Sequence, residues 1–428
     1  MTQKRVARSC AWLWAFIGCI GPGWSTAGEA DAPTASAAQR EYEGRAGKLA
    51  EGDAKGWLAL AGFCEEHLLL PQREASLRKV VAAVPDHAEA RRRLDEVKVG
   101  AEWLPGAEAD ARAGKDHEGK GEVYYGRSWA SAATAGRLRA GDRQRFGWPI
   151  QTRVDAPHCV VYSAVPYDET RAVAVVVHRV AMGYQALFGA GRKLEAFKQF
   201  PVHLFGAADV FATQFKRMAK FQGAVPKGFA GAYTPPVKMM FLSTDIGSGG
   251  WNQETLLRTV AHETLHALDE LAAGMQMSAM PTWICEGRAL YSQYSLVGRQ
   301  WIPGALSVGG TDGRGQEVEK AYKTASLAAL LGLDQKAFMQ NAPANYAIAW
   351  SLTHFLLHGE EGKYRERFLR FVAGCPQSSS AKDFGRLVAK VADLEGPYRT
   401  YVETVFLPAV KASVNADRKA KGLPGEWK

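Results

Sequence analysis

A chain of 428 residues, 47% hydrophobic and 23% charged, can bury cores for two or three domains and is too apolar for a disordered protein. Its net charge of +9 drops to +6 once residues 1–27 are set aside, because these hold Lys4, Arg5 and Arg8 and no acid. An excess that small, with no basic cluster interleaved with aromatics, suits solubility and gives no ground for nucleic-acid binding.

Residues 1–27 read as a signal peptide. Three basic residues precede an apolar run over residues 10–20, and Ser25-Thr26-Ala27 offers a small-residue cleavage site. The run is too short to span a bilayer, so export to the periplasm or the exterior is expected. Phe16-Ile17-Gly18-Cys19 weakly resembles a lipoprotein box, and membrane attachment is expected only with a lipid on Cys19. Cys64, Cys159, Cys285 and Cys375 remain after cleavage; two disulfides are possible, and the spacing fixes no pairing. Residues 28–53, rich in Ala, Ser and charge, predict a flexible start. In 54–104, Trp57, Leu60, Ala61, Leu77 and Pro85 fall where a tetratricopeptide (TPR) repeat places its large, small and terminating residues, while Arg73 departs from that pattern. Only about one and a half units fit, fewer than the roughly three a free-standing array needs. A helical hairpin packed on the rest of the protein or on a protein partner is expected; an unrelated helical pair fits equally well. Residues 105–144, Gly-rich and charged around Lys115 to Gly121, predict a linker in which His117 is solvated.

From 145 to 274 the pattern alternates. Strands are predicted over 159–165 and 201–205, helices over 168–188 (stopping at Gly189) and 209–221, and strands near 231–233 and 237–242, interrupted by Pro235-Pro236. His158, His178 and His203 are spaced on separate elements and read as packing residues, as do Phe211 and Phe215. Residues 252–274 then predict a helix. Asn252 suits the cap, Leu257, Ala261, Leu265, Leu268 and Ala272 make one apolar face, and Gly274 offers a left-handed stop. This helix carries His262-Glu263-Thr264-Leu265-His266, of the form H-E-x-x-H. Residues four apart lie one turn above each other, so His262 and His266 project from one side, as a tetrahedral Zn²⁺ requires. Glu263, rotated by about 100°, falls beside the metal and near a water bound to it.

A second helix is predicted from Pro281-Thr282, with Glu286 one turn in. The stretch Trp283-Ile284-Cys285-Glu286-Gly287-Arg288-Ala289 resembles the W-x-x-E-G-x-A helix that follows H-E-x-x-H in gluzincin-type zinc metallopeptidases. The chain is most similar to a secreted bacterial family with TPR-like N-terminal helices and a peptidase-MA-like domain. That resemblance implies that His262, His266 and Glu286 bind one zinc ion and that Glu263 is the catalytic base. It also implies a zincin-like α+β fold: a mixed sheet with the active-site helix in 145–274, a mainly helical subdomain in 275–428 carrying the third ligand, and a small helical hairpin module before both. In such a fold the last strand before the active-site helix lies at the sheet edge, a role assigned to residues 238–241, where an extended peptide can add as a further strand. Cys285, next to Glu286, points about 100° away and reads as a buried small hydrophobe.

Farther on, 304–315 is a glycine-rich loop without the Lys-Ser/Thr ending of a phosphate loop. Pro343 opens an apolar helix with Tyr346, Trp350 and His354 in register, and further helices are predicted near 361–373 and 380–409. By the resemblance Tyr346 donates to the oxyanion; a core tyrosine is the other reading, and His354 is an alternative donor. Asp269 either orients an imidazole through its free ring nitrogen or is a solvated acid. The expected activity is hydrolysis of peptide bonds in a peptide or protein substrate outside the cytoplasm, by zinc-activated water with Glu263 as base. Two alternatives stay open: an inactive zincin-fold scaffold that binds partners, and a zinc hydrolase of a non-peptide amide such as one in a cell-wall polymer.

Overall fold

The computed structural model describes residues 37–427 apart from 68, 189–198, 227, 246–252, 310–312 and 376–378. The signal peptide with Cys19, the Asn252 cap and the Gly189 stop lie outside the described residues.

The segment read as a flexible start contains helix α1 (Ala37–Ala46). Helices α2 (Ala54–Glu66) and α3 (Leu70–Ala83) form the expected hairpin. Asp53 caps α2 by accepting from the Gly56 N–H at 2.8 Å. Trp57, Leu60, Leu77 and Val80 fill a small core between the two helices. Arg73 is buried here, held by the Glu65 carboxylate and the Arg93 carbonyl. After α4 (Ala88–Arg93), strands β1 (Glu96–Val99) and β2 (Glu102–Pro105) pair as an antiparallel hairpin.

Residues 105–144 are not a linker. They form α5 (Gly106–Glu118), β3 (Glu122–Gly126), β4 (Ser128–Ser131) and most of α6 (Ala132–Phe146), and β3 and β4 join the main sheet. The glycines that suggested a loop supply sharp turns instead: Gly121, at φ 71°, sits at the turn from α5 into β3, and Gly126, at φ 83°, ends β3. His117 is half-buried, not solvated; it stacks on Trp129 at 4.1 Å and meets Glu122 at 2.6 Å.

The main sheet is mixed and makes the fold α+β. It continues through β5 (Thr152–Asp155), β6 (Cys159–Ser163), β7 (Phe200–Phe205), β8 (Gly231–Thr234) and β9 (Met239–Ser243), in the spatial order β4-β3-β5-β6-β7-β9-β8. β7 pairs parallel with both β6 and β9, whereas β8 folds back antiparallel on β9. The edge position therefore belongs to β8, not to residues 238–241, which lie in and before the interior strand β9. Pro235 and Pro236, which read as an interruption, make the turn of this hairpin between Thr234 and Met239.

Helices cover both faces of the sheet. On one, α6 and α8 (Ala208–Ala219) bury Phe146, Phe211 and Phe215 against Phe205 and Phe241. On the other, α7 (Tyr167–Phe188) sets Val173, Val176, Val177 and Val180 at helical spacing against the sheet and α9 (Gln253–Leu271). His158 and His178 are not isolated, because the start of β6 faces the middle of α7 and their Nδ1 atoms meet at 3.0 Å. His203 is a buried packing residue among Tyr162, Phe146 and Phe241.

The C-terminal part is helical apart from a short hairpin, β10 (Leu296–Val297) and β11 (Gln300–Trp301). It runs through α10 (Thr282–Tyr294), α11 (Arg314–Ala321), α12 (Leu327–Gly332), α13 (Gln335–Gln340), α14 (Ala342–His358), α15 (Arg365–Ala373), α16 (Ala381–Leu387), α17 (Val391–Tyr401) and α18 (Leu407–Ala420). The N-terminal module is fastened to this body by ion pairs. Asp95 accepts from Arg179 at 2.7 Å and Arg299 at 3.0 Å, and Asp110 accepts from Arg299 at 2.6 Å. Cys64, Cys159 and Cys285 are buried and free, and Cys375 is buried. Among the described residues no helix is long and apolar enough to cross a membrane.

Candidate metal centre

Helices α9 and α10 pack side by side and bring three donors together. His262 and His266 stand one turn apart on α9, with ring centroids 4.9 Å apart and planes at 74°. From α10, Glu286 Oε2 reaches to 3.4 Å from His262 Nε2 and 3.9 Å from His266 Nε2. One ligand atom from each of the three lies within 4.8 Å of the others, and among the described residues theirs is the one such cluster. All three side chains are buried.

Burial sets the electrostatics. It pushes His262 down to about 3 and His266 to about 4, so both imidazoles are neutral near pH 7 and offer lone pairs. Burial also raises Glu286 and Glu263 above the usual carboxylate range, and the neighbouring Glu286 charge raises Glu263 further. Glu286 Oε2 is buried without a hydrogen-bond partner. Two neutral imidazoles and an unsatisfied carboxylate oxygen converge here, with the Glu263 carboxyl near enough to feel the Glu286 charge and the Arg314 guanidinium near enough to act on His262 and Glu286. Two nitrogens and an oxygen suit a divalent ion of zinc type, and three donors leave a fourth position for water.

Two contacts orient these groups that the sequence did not announce. His262 Nδ1 meets Gln293 Oε1 at 3.1 Å. Gln293 lies seven residues after Glu286, two turns along the same face of α10, and that spacing is the signal that could have found it. Glu263 Oε2 accepts from the Tyr233 backbone N–H at 2.7 Å. Ser243 N–H donates to Ala230 O, so antiparallel alternation turns the Tyr233 N–H away from β9 and off the free edge of the sheet. No side-chain pattern reports such a bond.

Tyr346 comes to the centre from α14. Its hydroxyl is buried and faces Glu286 without a well-formed hydrogen bond; burial raises its pKa, and the charges of Glu286 and Glu263 raise it further. Gly287 permits this approach: a Cβ there would lie 2.5 Å from the Ala349 carbonyl and 2.5 Å from Thr353 Oγ1, so any larger residue would push α10 off α14. Arg314, not singled out from sequence, sets its guanidinium 5.4 Å from the Tyr346 ring centroid and donates to the Pro343 carbonyl at 3.3 Å.

Two expectations are corrected here. Asp269 neither orients an imidazole nor faces solvent; it is buried, accepting from Arg288 at 2.8 Å and Tyr184 at 2.9 Å, while His266 Nδ1 has no partner. His354 is not a donor at the centre: its Nδ1 is engaged by the Tyr401 hydroxyl at 2.8 Å and its Nε2 by the Gly304 carbonyl at 2.9 Å.

Residues 256–378 match the model of a family described as a protein of unknown function, DUF1570. The matched stretch contains His262, Glu263, His266, Glu286 and Tyr346. No curated protein matches the chain.

Proposed function

We propose that this protein is an exported zinc metallopeptidase of the gluzincin type, built on a zincin-like fold. One observation carries the reading: His262, His266 and Glu286 converge in a buried cluster with Glu263 beside it. The basic and apolar pattern of residues 4–27 supports export, and the docked N-terminal helices offer a surface for a protein partner.

The three donors would hold one zinc ion per chain. When bound, zinc supplies Lewis acidity, polarising a carbonyl and lowering the pKa of water toward neutrality. Glu263 takes the proton from the attacking water and hands it to the leaving amine. The Tyr233 N–H holds Glu263 Oε2, which leaves Oε1 to meet the water. Tyr346, a neutral donor at pH 7, turns its unpartnered hydroxyl to the developing oxyanion. Gln293 keeps His262 in the tautomer whose Nε2 faces Glu286.

The test pairs metal content with turnover. Purified protein should carry about one zinc per chain and cleave members of a broad peptide library. Glu263→Gln should keep the metal and abolish cleavage. Cleavage that persists in metal-free protein would reject the reading.

A further inference from the structure

Beyond the donors themselves, α9 and α10 are joined by a fully buried ion pair that an economical core would not contain. Asp269 Oδ2 accepts from Arg288 Nη1 at 2.8 Å, and Asp269 Oδ1 accepts from the Tyr184 hydroxyl of α7 at 2.9 Å. Asp269 is 1% exposed and Arg288 0%. The guanidinium is only partly satisfied: its Nε and Nη2 have no well-formed hydrogen bond, and its other neighbours are the Tyr184 side chain and the Phe188 ring, 4.4 Å away.

Stability does not account for such a pair. Moving two charges out of water costs more than a single hydrogen-bonded contact returns, and apolar residues of similar volume are commonly as stable or more so. Two unsatisfied donors deepen the deficit. What an ion pair supplies and an apolar pair does not is a fixed register between the elements it joins.

The register at stake is that of the donors. A second polar link joins the same helices, where Ser292 Oγ donates to the Ala261 carbonyl at 2.9 Å. Along α9 both histidines fall between the two links, at Ala261 and Asp269. Along α10 Glu286 stands two residues from Arg288. A slide or roll of α10 would move Glu286 away from His262 and His266.

We propose that Asp269, Arg288 and Tyr184 are positioning residues that fix the spacing of Glu286 from the histidine pair, and so set the affinity of the centre for zinc. This rests on the zinc reading above, and the test separates the two. The variant is Asp269→Leu/Arg288→Met/Tyr184→Phe, which replaces the whole polar cluster by apolar residues. Thermal stability is measured on metal-free protein and the zinc Kd by chelator competition. The expected result is a midpoint at or above that of the parent, with zinc bound about 10- to 100-fold more weakly.

A variant as stable as the parent with an unchanged Kd overturns the proposal and leaves the zinc reading intact. Parent protein that binds no zinc overturns both. Should the triple variant fail to fold, Tyr184→Phe decides, because it keeps the ion pair and removes the hydroxyl that donates to Asp269. A Kd weakened several-fold upholds the positioning role, and an unchanged Kd ends it.

Discussion

Removing the hydroxyl of Tyr346 separates function from stability. The phenol is 4% exposed, and its oxygen makes no well-formed hydrogen bond although it faces Glu286. A buried polar group without a partner costs about 1–3 kcal/mol, so Tyr346→Phe should hold or raise the unfolding free energy of the protein. The rest of the ring's packing is kept, including the edge-on contact with Phe338 at 5.2 Å. Zinc content should not change, because no ligand is touched. Turnover should fall by about 10²–10³, the effect of losing one oxyanion donor, or roughly 3–4 kcal/mol of barrier. Denaturant melts, metal analysis and initial rates on one peptide substrate measure all three. A phenylalanine variant with undiminished turnover would refute the assignment of the hydroxyl to the oxyanion. A large loss of stability would refute the claim that the oxygen is unsatisfied in the resting protein.

Gln293→Leu removes the partner of His262 Nδ1 and should weaken zinc binding by about 10- to 100-fold with the fold retained, read by chelator competition. Gly287→Ala forces a Cβ against the Ala349 carbonyl and should cost about 1–3 kcal/mol in a denaturant melt, with turnover lowered because α14 carries Tyr346. Acid should withdraw the stability that two buried neutral histidines contribute to the metal-free protein, in a defined window. Burial holds His203 at about 3 and His354 at about 4, both below their ordinary 6.5. Below pH 6.5 the unfolded chain takes up protons that the native state refuses. Each such histidine's contribution to stability is therefore whole above pH 6.5 and declines toward pH 4 at about 1.4 kcal/mol per pH unit, while the raised carboxyls of Glu263 and Glu286 act in the opposite sense. Denaturant melts of the parent and of His203→Phe at pH 7 and pH 5 isolate one histidine: the variant should lose less stability in acid by about 1.4 kcal/mol per pH unit, and equal losses in the two proteins would contradict it.

The centre was legible because its information is local. His262, Glu263 and His266 share one helix, where a four-residue step fixes their direction, and Glu286 follows within a helix whose start is marked by Pro281 and Thr282. What sequence missed comes from contacts between elements. Asp269 reads as an acid near a helix end until α7 and α10 supply Tyr184 and Arg288 to neutralise it. The Tyr233 N–H acts through the backbone of an edge strand, which no side-chain pattern marks. Strand order failed for a related reason. Chain order puts β9 last before α9, but the hairpin at Pro235-Pro236 folds β8 to the outside. The segment 105–144 misled because most of its charged residues face solvent and Gly121 and Gly126 make turns, while the residues that join it to the sheet, Tyr124 and Tyr125 among them, are few.

The most direct test of the account is to locate the metal in crystals of the intact protein by anomalous scattering at the zinc edge. The expected result is a single peak about 2.0–2.2 Å from His262 Nε2, His266 Nε2 and a Glu286 oxygen, with a water in the remaining position. A peak elsewhere, or a fourth side chain closing that position, would contradict a hydrolytic centre.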